Sequence, residues 1–296
     1  MAVDIFRPSH HRGGNRRLDE ARPIPSPSDL LVNESIREFP VHSSTGSGSV
    51  DSVAVEEPLE IRLTHGPVES RQRTVLTVTM RTPGHDRELA MGHLAVERII
   101  RSPSDVLEFV EDGPNEIRIS LHPSVTFDAT RHARSGYTMS SCGVCGKQSI
   151  DAILQTVEPL PGDPIPDAEL LHALPERVRA MQPLFARTGG IHASALVNRQ
   201  GEIAVVREDV GRHNAADKVL GVMFQKAIWP LAGFTLFVSG RASFELVQKA
   251  AVAGVSHLAA VGAPSSLAIE FAERVGLTLF GFVRDGRFNR YSTGTA

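Results

Sequence analysis

The sequence predicts a layered α/β domain preceded by a smaller N-terminal α+β unit. From residue 193 onward, short apolar runs alternate with segments of helical period, the signature of strands buried beneath helices. Between residues 51 and 134, period-two runs dominate and a single helix is expected. A length of 296 residues accommodates both units.

Residues 1–50 read as a disordered extension. They hold a basic run from His10 to Arg17, a Pro25-Ser26-Pro27-Ser28 stretch and the Ser/Gly-rich run Ser43–Ser49, too little apolar surface to offset the entropy of ordering. Such a segment serves as an electrostatic tether or as a spectator. In the unit spanning 51–134, Pro58–Leu63 and Thr74–Met80 alternate as strands, and Asp86-Arg87-Glu88-Leu89 opens a helix running towards Ile100, its acidic residues suited to the first turn. Asp105–Val110 and Glu116–Leu121 read as further strands joined through Gly113-Pro114-Asn115.

The larger domain, 135–296, opens with Ser135–Gly146, small and polar without apolar rhythm and therefore a loop, followed by a helix from Lys147 to Val157 that the Pro159–Pro164 stretch breaks. A helix is expected over Asp167–Met181, then a hairpin of Ala193–Val197 and Glu202–Arg207. Next come a helix Asn214–Ile228, a strand Phe234–Val238, a helix Ser243–Ala253, a strand Leu258–Val261, a helix Ser265–Val275 and a strand Leu277–Val283. No internal repeat is visible.

Composition excludes several functions. A formal net charge of −3 argues against a nucleic-acid partner, and 5% aromatic residues give little for base stacking. Met1–His10 has no apolar signal region, and the most apolar stretch, Ala227–Val238, is interrupted by Pro230 and Gly233 and too short to span a bilayer. No membrane association and a cytoplasmic location are expected. The chain has two cysteines, Cys142 and Cys145, three apart. In a reducing compartment such a pair is redox-active, metal-binding or catalytic more often than a structural staple. Cys145 precedes a predicted helix and lies near Lys147, both of which favour the reactive thiolate.

The remaining candidates fall where strands meet helices, the places where open α/β sheets bind ligands. They are Gly189-Gly190 with His192, Arg212-His213 after Glu208-Asp209-Val210-Gly211, Ser239-Gly240-Arg241, and Arg284-Asp285-Gly286-Arg287. Glycines admit close approach to the backbone, helix N-termini present free N–H groups, and arginines offer forked donors to phosphate. Together they sketch an anion-binding surface. His192 and His213 could join the two cysteines around zinc, but the spacing matches no finger pattern, and no metal site is assigned. Asp209 could simply cap the helix that follows it.

The run Met139-Ser140-Ser141-Cys142-Gly143-Val144-Cys145-Gly146-Lys147 resembles the signature loop of the formate dehydrogenase accessory sulfurtransferases, the FdhD family. Further pieces agree in order: Glu57-Pro58-Leu59-Glu60-Ile61, Met80-Arg81-Thr82-Pro83, Thr188–Ala195, the run from Glu208 through Asn214 to Asp217-Lys218, and Ser239-Gly240-Arg241. The resemblance spans about residues 51–292. It implies a cytidine-deaminase-like fold for the larger domain and a tendency to form a homodimer. It implies a sulfurtransferase that takes persulfide sulfur from a cysteine desulfurase. The sulfur goes to the Mo-bis(molybdopterin guanine dinucleotide) cofactor, or its tungsten form, before insertion into formate dehydrogenase. That cofactor is a bound substrate, and no resident cofactor is implied. By motif position Cys142 holds the persulfide, Cys145 assists, and Phe282-Val283-Arg284-Asp285-Gly286-Arg287 helps hold the cofactor. The deaminase signature is absent, so the fold does not imply deamination. Arg98, within Glu97-Arg98-Ile99-Ile100, stands where the family pattern has glycine. A cofactor-binding chaperone without thiol chemistry and a zinc-dependent hydrolase are the alternatives.

Overall fold

A computed structural model of the chain describes residues 32–293 apart from 33, 45, 47 and 129–156. Strands β1 (Ile36–His42) and β2 (Gly48–Ala54) form an antiparallel hairpin. This corrects the expectation of disorder for the later part of 1–50. Between the strands the Gly46 N–H donates to the Ser43 carbonyl, and the hairpin packs on a core at one end. Ile36 packs there with Leu184 and Ile191, while most other hairpin side chains stay at least partly exposed, which is why hydrophobic periodicity missed them.

The N-terminal unit holds a four-stranded sheet in the order β4-β3-β6-β5, built from β3 (Glu57–His65), β4 (Gln72–Arg81), β5 (Val106–Gly113) and β6 (Glu116–Leu121). The central pair β3 and β6 is parallel, and the outer strands are antiparallel to their neighbours. Strand alternation sends Leu59, Ile61, Leu63, Ile117, Ile119 and Leu121 to one face, where they pack on Leu89, Ala90 and Leu94 of helix α1 (Asp86–Val96). The other face carries cross-strand ion pairs, Arg62 with Glu116 and Arg118 with Asp112.

Helix α1 ends in a two-bond reversal. The Arg98 N–H donates to the Ala95 carbonyl at 3.0 Å and the Ile99 N–H to the Leu94 carbonyl at 2.9 Å. This closure requires a left-handed residue between the helix and the apolar Ile99, and Arg98 supplies it at φ 57°. Glycine, expected at this position from the resemblance, is the residue this conformation favours.

The larger unit is a six-stranded sheet in the order β12-β11-β10-β9-β7-β8. Its strands are β7 (His192–Val197), β8 (Ile203–Asp209), β9 (Thr235–Val238), β10 (His257–Ala260), β11 (Thr278–Arg284) and β12 (Arg287–Arg290). The run β9-β10-β11 is parallel, and β7, β8 and β12 add antiparallel edges. Helix α2 (Ala168–Arg179) covers one face, packing Leu171, Leu174 and Val178 on Ala195, Phe237 and Phe280. Helices α4 (Arg212–Gln225), α5 (Phe244–Val252) and α6 (Ser266–Val275) cover the other, over Leu196, Leu236, Leu258 and Leu279. The short helix α3 (Pro183–Thr188) and strand β12 were not anticipated; each is too short to show a period. The loop and helix expected over 135–156 lie outside the described residues.

The two units meet along α1 and α4, whose backbones touch. A Cβ at Gly92 would lie 1.9 Å from the Asp217 carbonyl oxygen, and one at Gly221 would lie 1.8 Å from that of Glu88. Glu88 of α1 also accepts from Arg207 of β8, at 2.5 Å from Nε and 2.8 Å from Nη2. Burial alone would raise the Glu88 pKa, but the hydrogen bonds from Arg207 and His85 outweigh it and hold the carboxyl at about 2.

Two consequences can be measured by urea denaturation. Gly221→Ala forces the helices apart and should cost about 3 kcal/mol, at the upper end of ordinary overpacking; a loss below about 1 kcal/mol would mean the helices separate freely. Arg98→Gly should stabilise by about 1 kcal/mol, the cost of a side chain in the left-handed region; a lower midpoint would show that the Arg98 side chain contributes more than its backbone costs.

Candidate functional site

The C-terminal end of β8 is fixed by a buried polar knot. Asp209 is fully buried, and its carboxylate lies 2.7 Å from Lys218 Nζ on the second turn of α4. Lys218 also donates to the carbonyls of Thr82 (3.0 Å) and Glu208 (3.4 Å). Asp209 accepts from the backbone N–H of Thr82 and Gly211 and from the Asn214 side chain. Asn214 in turn donates to the Met80 carbonyl at 2.7 Å and accepts from Thr79. Burial pushes the Asp209 pKa up, and Lys218 with the hydrogen-bond donors pulls it back. Glu208 accepts from the N–H groups of Leu184 and Phe185 and so holds the start of α3. The run from Glu208 to Lys218 thus works largely as a joint between the two units, gripping Thr79, Met80 and Thr82. Arg81 braces the N-terminal side of the joint: fully buried, it donates twice to Asp86 of α1, at 3.0 and 2.9 Å.

Strand directions bring the other predicted residues to one edge of the sheet. His192 opens β7 opposite Asp209, and Ser194 pairs with Val238, so the start of β7, the end of β8 and the Ser239-Gly240-Arg241 segment after β9 lie side by side. The parallel strands β10 and β11 end at the same edge: the Gly262 N–H donates to the Gly240 carbonyl, and the Phe282 N–H to the Gly262 carbonyl. Ser239 ties two strands, its N–H donating to the Ala193 carbonyl while its Oγ accepts from the Ala193 N–H at 2.9 Å. His192 Nδ1 lies 3.5 Å from the same Oγ. A Cβ on Gly240 would sit 3.4 Å from the His192 ring and 3.9 Å from Arg212 Cδ, so these three residues surround one space. Arg212 is the first residue of α4, and its Nε is buried without a hydrogen-bond partner among the described residues. Burial, then the Arg212 charge, lower the His192 pKa against an opposing pull from Asp209.

The Phe282–Arg287 segment forms the β11–β12 turn at this edge. Asp285 and Gly286 take positive φ in the turn itself, and Phe282 takes it within β11, where the pairing with β12 is irregular. Phe282, Arg284, Arg287 and Asn289 line a cavity of about 240 Å³, with the Arg284 guanidinium 5.7 Å from the Phe282 ring centre. Val283 is fully buried in the α2-side core and faces away from it. Asn289 escaped sequence reasoning because β12 was not foreseen.

Three predicted residues stand apart from the edge cluster. Gly189 caps α3 at φ 63°, and Gly190 is exposed beside it. The structure does not bring His213 into the His192 group. His213 lines a separate cavity of about 160 Å³ with Val96, Glu97, Glu245, Gln248 and Lys249, its Nε2 3.2 Å from Ser243 Oγ. Cys142 and Cys145 lie outside the described residues. Among the described residues no group of three potential ligands forms a metal cluster, and no helix is long and apolar enough to cross a membrane.

The profile of one protein family matches residues 54–296. The chain belongs to the FdhD/NarQ family. The sulfur carrier protein FdhD of Streptomyces coelicolor is 44% identical over 273 residues, covering 88% of this chain and 94% of that one. The Mycobacterium tuberculosis protein of the same name is 46% identical over 256 residues, 82% of this chain and 90% of its own length. A solved chain from Desulfotalea psychrophila, named for an accessory role to formate dehydrogenase, shares the fold at a TM-score of 0.66 and 24% identity, over 87% of this chain and 96% of that one. The fold anticipated for this FdhD/NarQ chain is thereby established.

His213 gives a pH test of the local electrostatics. Burial and the neighbouring Arg212 and Lys249 charges lower its pKa from 6.5 to about 4. The unfolded chain therefore takes up the proton first as pH falls. The stability linked to neutral His213 is complete above pH 6.5 and is lost between 6.5 and 4. His213→Gln should flatten the fall of the urea midpoint across that window relative to the parent chain, and parallel profiles would show that His213 is not held neutral.

Proposed function

We propose that this chain is a sulfur carrier and sulfurtransferase that serves a formate dehydrogenase. The observation that carries this reading is the convergence of Arg212, His192, Ser239-Gly240-Arg241 and the Phe282–Arg287 turn on one sheet edge in a chain of the FdhD/NarQ family. Its relatives are named sulfur carriers, and a structural neighbour is named as a formate dehydrogenase accessory protein.

In this reading the Cys142 thiolate attacks the outer sulfur of a cysteine desulfurase persulfide. A bond forms between Cys142 Sγ and that sulfur, the desulfurase S–S bond breaks, and the desulfurase cysteine leaves as thiolate, so no net oxidation occurs. A persulfide is more acidic than a thiol and is anionic at neutral pH, ready to pass on its terminal sulfur. Cys145 assists the exchange. The acceptor is the molybdenum or tungsten bis-guanine-dinucleotide cofactor, a cargo whose phosphates suit arginine forks, glycine backbones and helix N-termini. The reading places the chain in the cytoplasm, where thiols stay reduced, and as a homodimer.

The experiment is mass spectrometry of the cysteine-bearing peptide after incubation with a desulfurase and free cysteine. One added sulfur atom is expected on Cys142 in the parent chain and none in Cys142→Ala. Equal labelling of variant and parent would remove Cys142 from the role, and no labelling of either would leave the chain without carrier chemistry.

A further inference from the structure

The turn that closes α1 keeps a side chain where the backbone favours none. Arg98 sits at φ 57°, in the left-handed region that disfavours a Cβ. Strain of this kind directs attention to what the side chain does. Arg98 is exposed, and so is Arg101 three residues on. Neither guanidinium makes a hydrogen bond or an ion pair among the described residues. Burial, then the like charge of Arg101, lower the Arg98 pKa, against an opposing pull from Glu158. The two cations therefore stand close enough to repel each other. The neighbouring carboxylates leave them unanswered. Asp105 Oδ2 accepts from the backbone N–H groups of Arg101 (2.7 Å) and Ser102 (3.0 Å). Glu97 lines the His213 cavity with Lys249. Glu158 acts on the Arg98 charge without forming an ion pair with it.

These arginines lie beside both ends of the stretch that bears Cys142 and Cys145. Strand β6 ends at Leu121, and the His122 N–H donates to the Asp105 carbonyl at 2.7 Å, so the chain departs past the turn that Arg101 opens. Phe127 stays at that end of the N-terminal sheet, its ring centre 4.7 Å from that of His65 at the end of β3. On the far side of the cysteines the chain returns at Val157, buried in one core with Val96 of α1, and Glu158 follows within reach of the Arg98 charge.

We propose that Arg98 and Arg101 form a docking surface for the protein that delivers sulfur to this chain, and that this partner presents carboxylates to them. The proposal rests on the carrier reading, which supplies the need for a donor protein. Two forked cations without partners are suited to carboxylates, which relieve their mutual repulsion and accept paired hydrogen bonds. Exposed charges of this kind act chiefly by steering the encounter, so their effect falls on the rate of delivery and weakens with salt.

The test is the rate at which Cys142 of the full chain gains sulfur, read by mass spectrometry with two donors. One is a cysteine desulfurase with free cysteine. The other is glutathione persulfide, which hands over its outer sulfur by the same exchange and leaves as thiolate. The variant combines Arg98→Gly with Arg101→Gln. Glycine takes the left-handed turn freely, and the Arg101 bond to Asp105 comes from its backbone, so the fold is kept. The desulfurase should label the variant about tenfold more slowly than the parent at low salt. The gap should close at about 1 M salt, where charges are screened within about 3 Å. Glutathione persulfide should label both chains at one rate. Equal desulfurase rates at low salt, or the same slowing with both donors, would overturn the proposal. Should neither donor label the parent, the carrier reading fails and this proposal with it, so the two failures are told apart.

Discussion

The buried ion pair between Asp209 and Lys218 is the constraint on which the rest of this molecule depends. Neither group reaches solvent. A charge so placed is tolerable only when paired and fully hydrogen-bonded, because removing it from water costs several kcal/mol. Each remaining hydrogen-bonding direction is accordingly filled from an element that must itself be in place: Thr82 from the strand β4 exit, Gly211 and Asn214 from the start of α4, the Glu208 carbonyl from β8. The pair can exist only when both units are folded and docked. The close approach of Gly92 and Gly221 belongs to the same contact, since it lets α4 come near enough to α1 for the joint to close.

This joint also shapes the electrostatics of the sheet edge. A chain of net charge −3 presents an anion-friendly edge at the start of α4 because two of its carboxylates there turn inward. Asp209 answers Lys218, and Glu208 answers two backbone N–H groups of α3. What remains at the edge are Arg212, Arg241, Arg284 and Arg287, with the exposed Asp285 3.9 Å from Arg284, a neutral-leaning His192, and glycines without side chains. The positions of His192 and Ser239 follow from strand pairing alone, which makes the edge a rigid platform.

Much of this was legible in the sequence. The alternation of buried strands and amphipathic helices in the larger unit leaves a strong periodic mark, and β9, β10, β11 and their helices fall within a few residues of expectation. The sites at strand ends followed from the same pattern. Less legible were the features that periodicity does not encode. The β1–β2 hairpin is mostly polar and docks through a few residues around Ile36. The run from Glu208 to Asn214 looked like ligand-binding chemistry, yet Asp209 and Asn214 spend their polar atoms on the joint, and only the start of α4 faces the edge. His192 and His213 looked equivalent, but the helix turns His213 into a different cavity. Arg98 stands where glycine was expected, and its backbone takes the left-handed conformation that glycine favours, a feature periodicity does not encode.

Trp229, the chain's single tryptophan, packs against the cores of both units and so reports on each. Urea unfolding followed by its fluorescence, in the parent chain and in Lys218→Met, tests the joint most directly. One transition is expected in the parent, and the variant, left with an uncompensated buried Asp209, should lose about 3–5 kcal/mol. A variant that unfolds at the parent midpoint would show that the two units hold together without this pair.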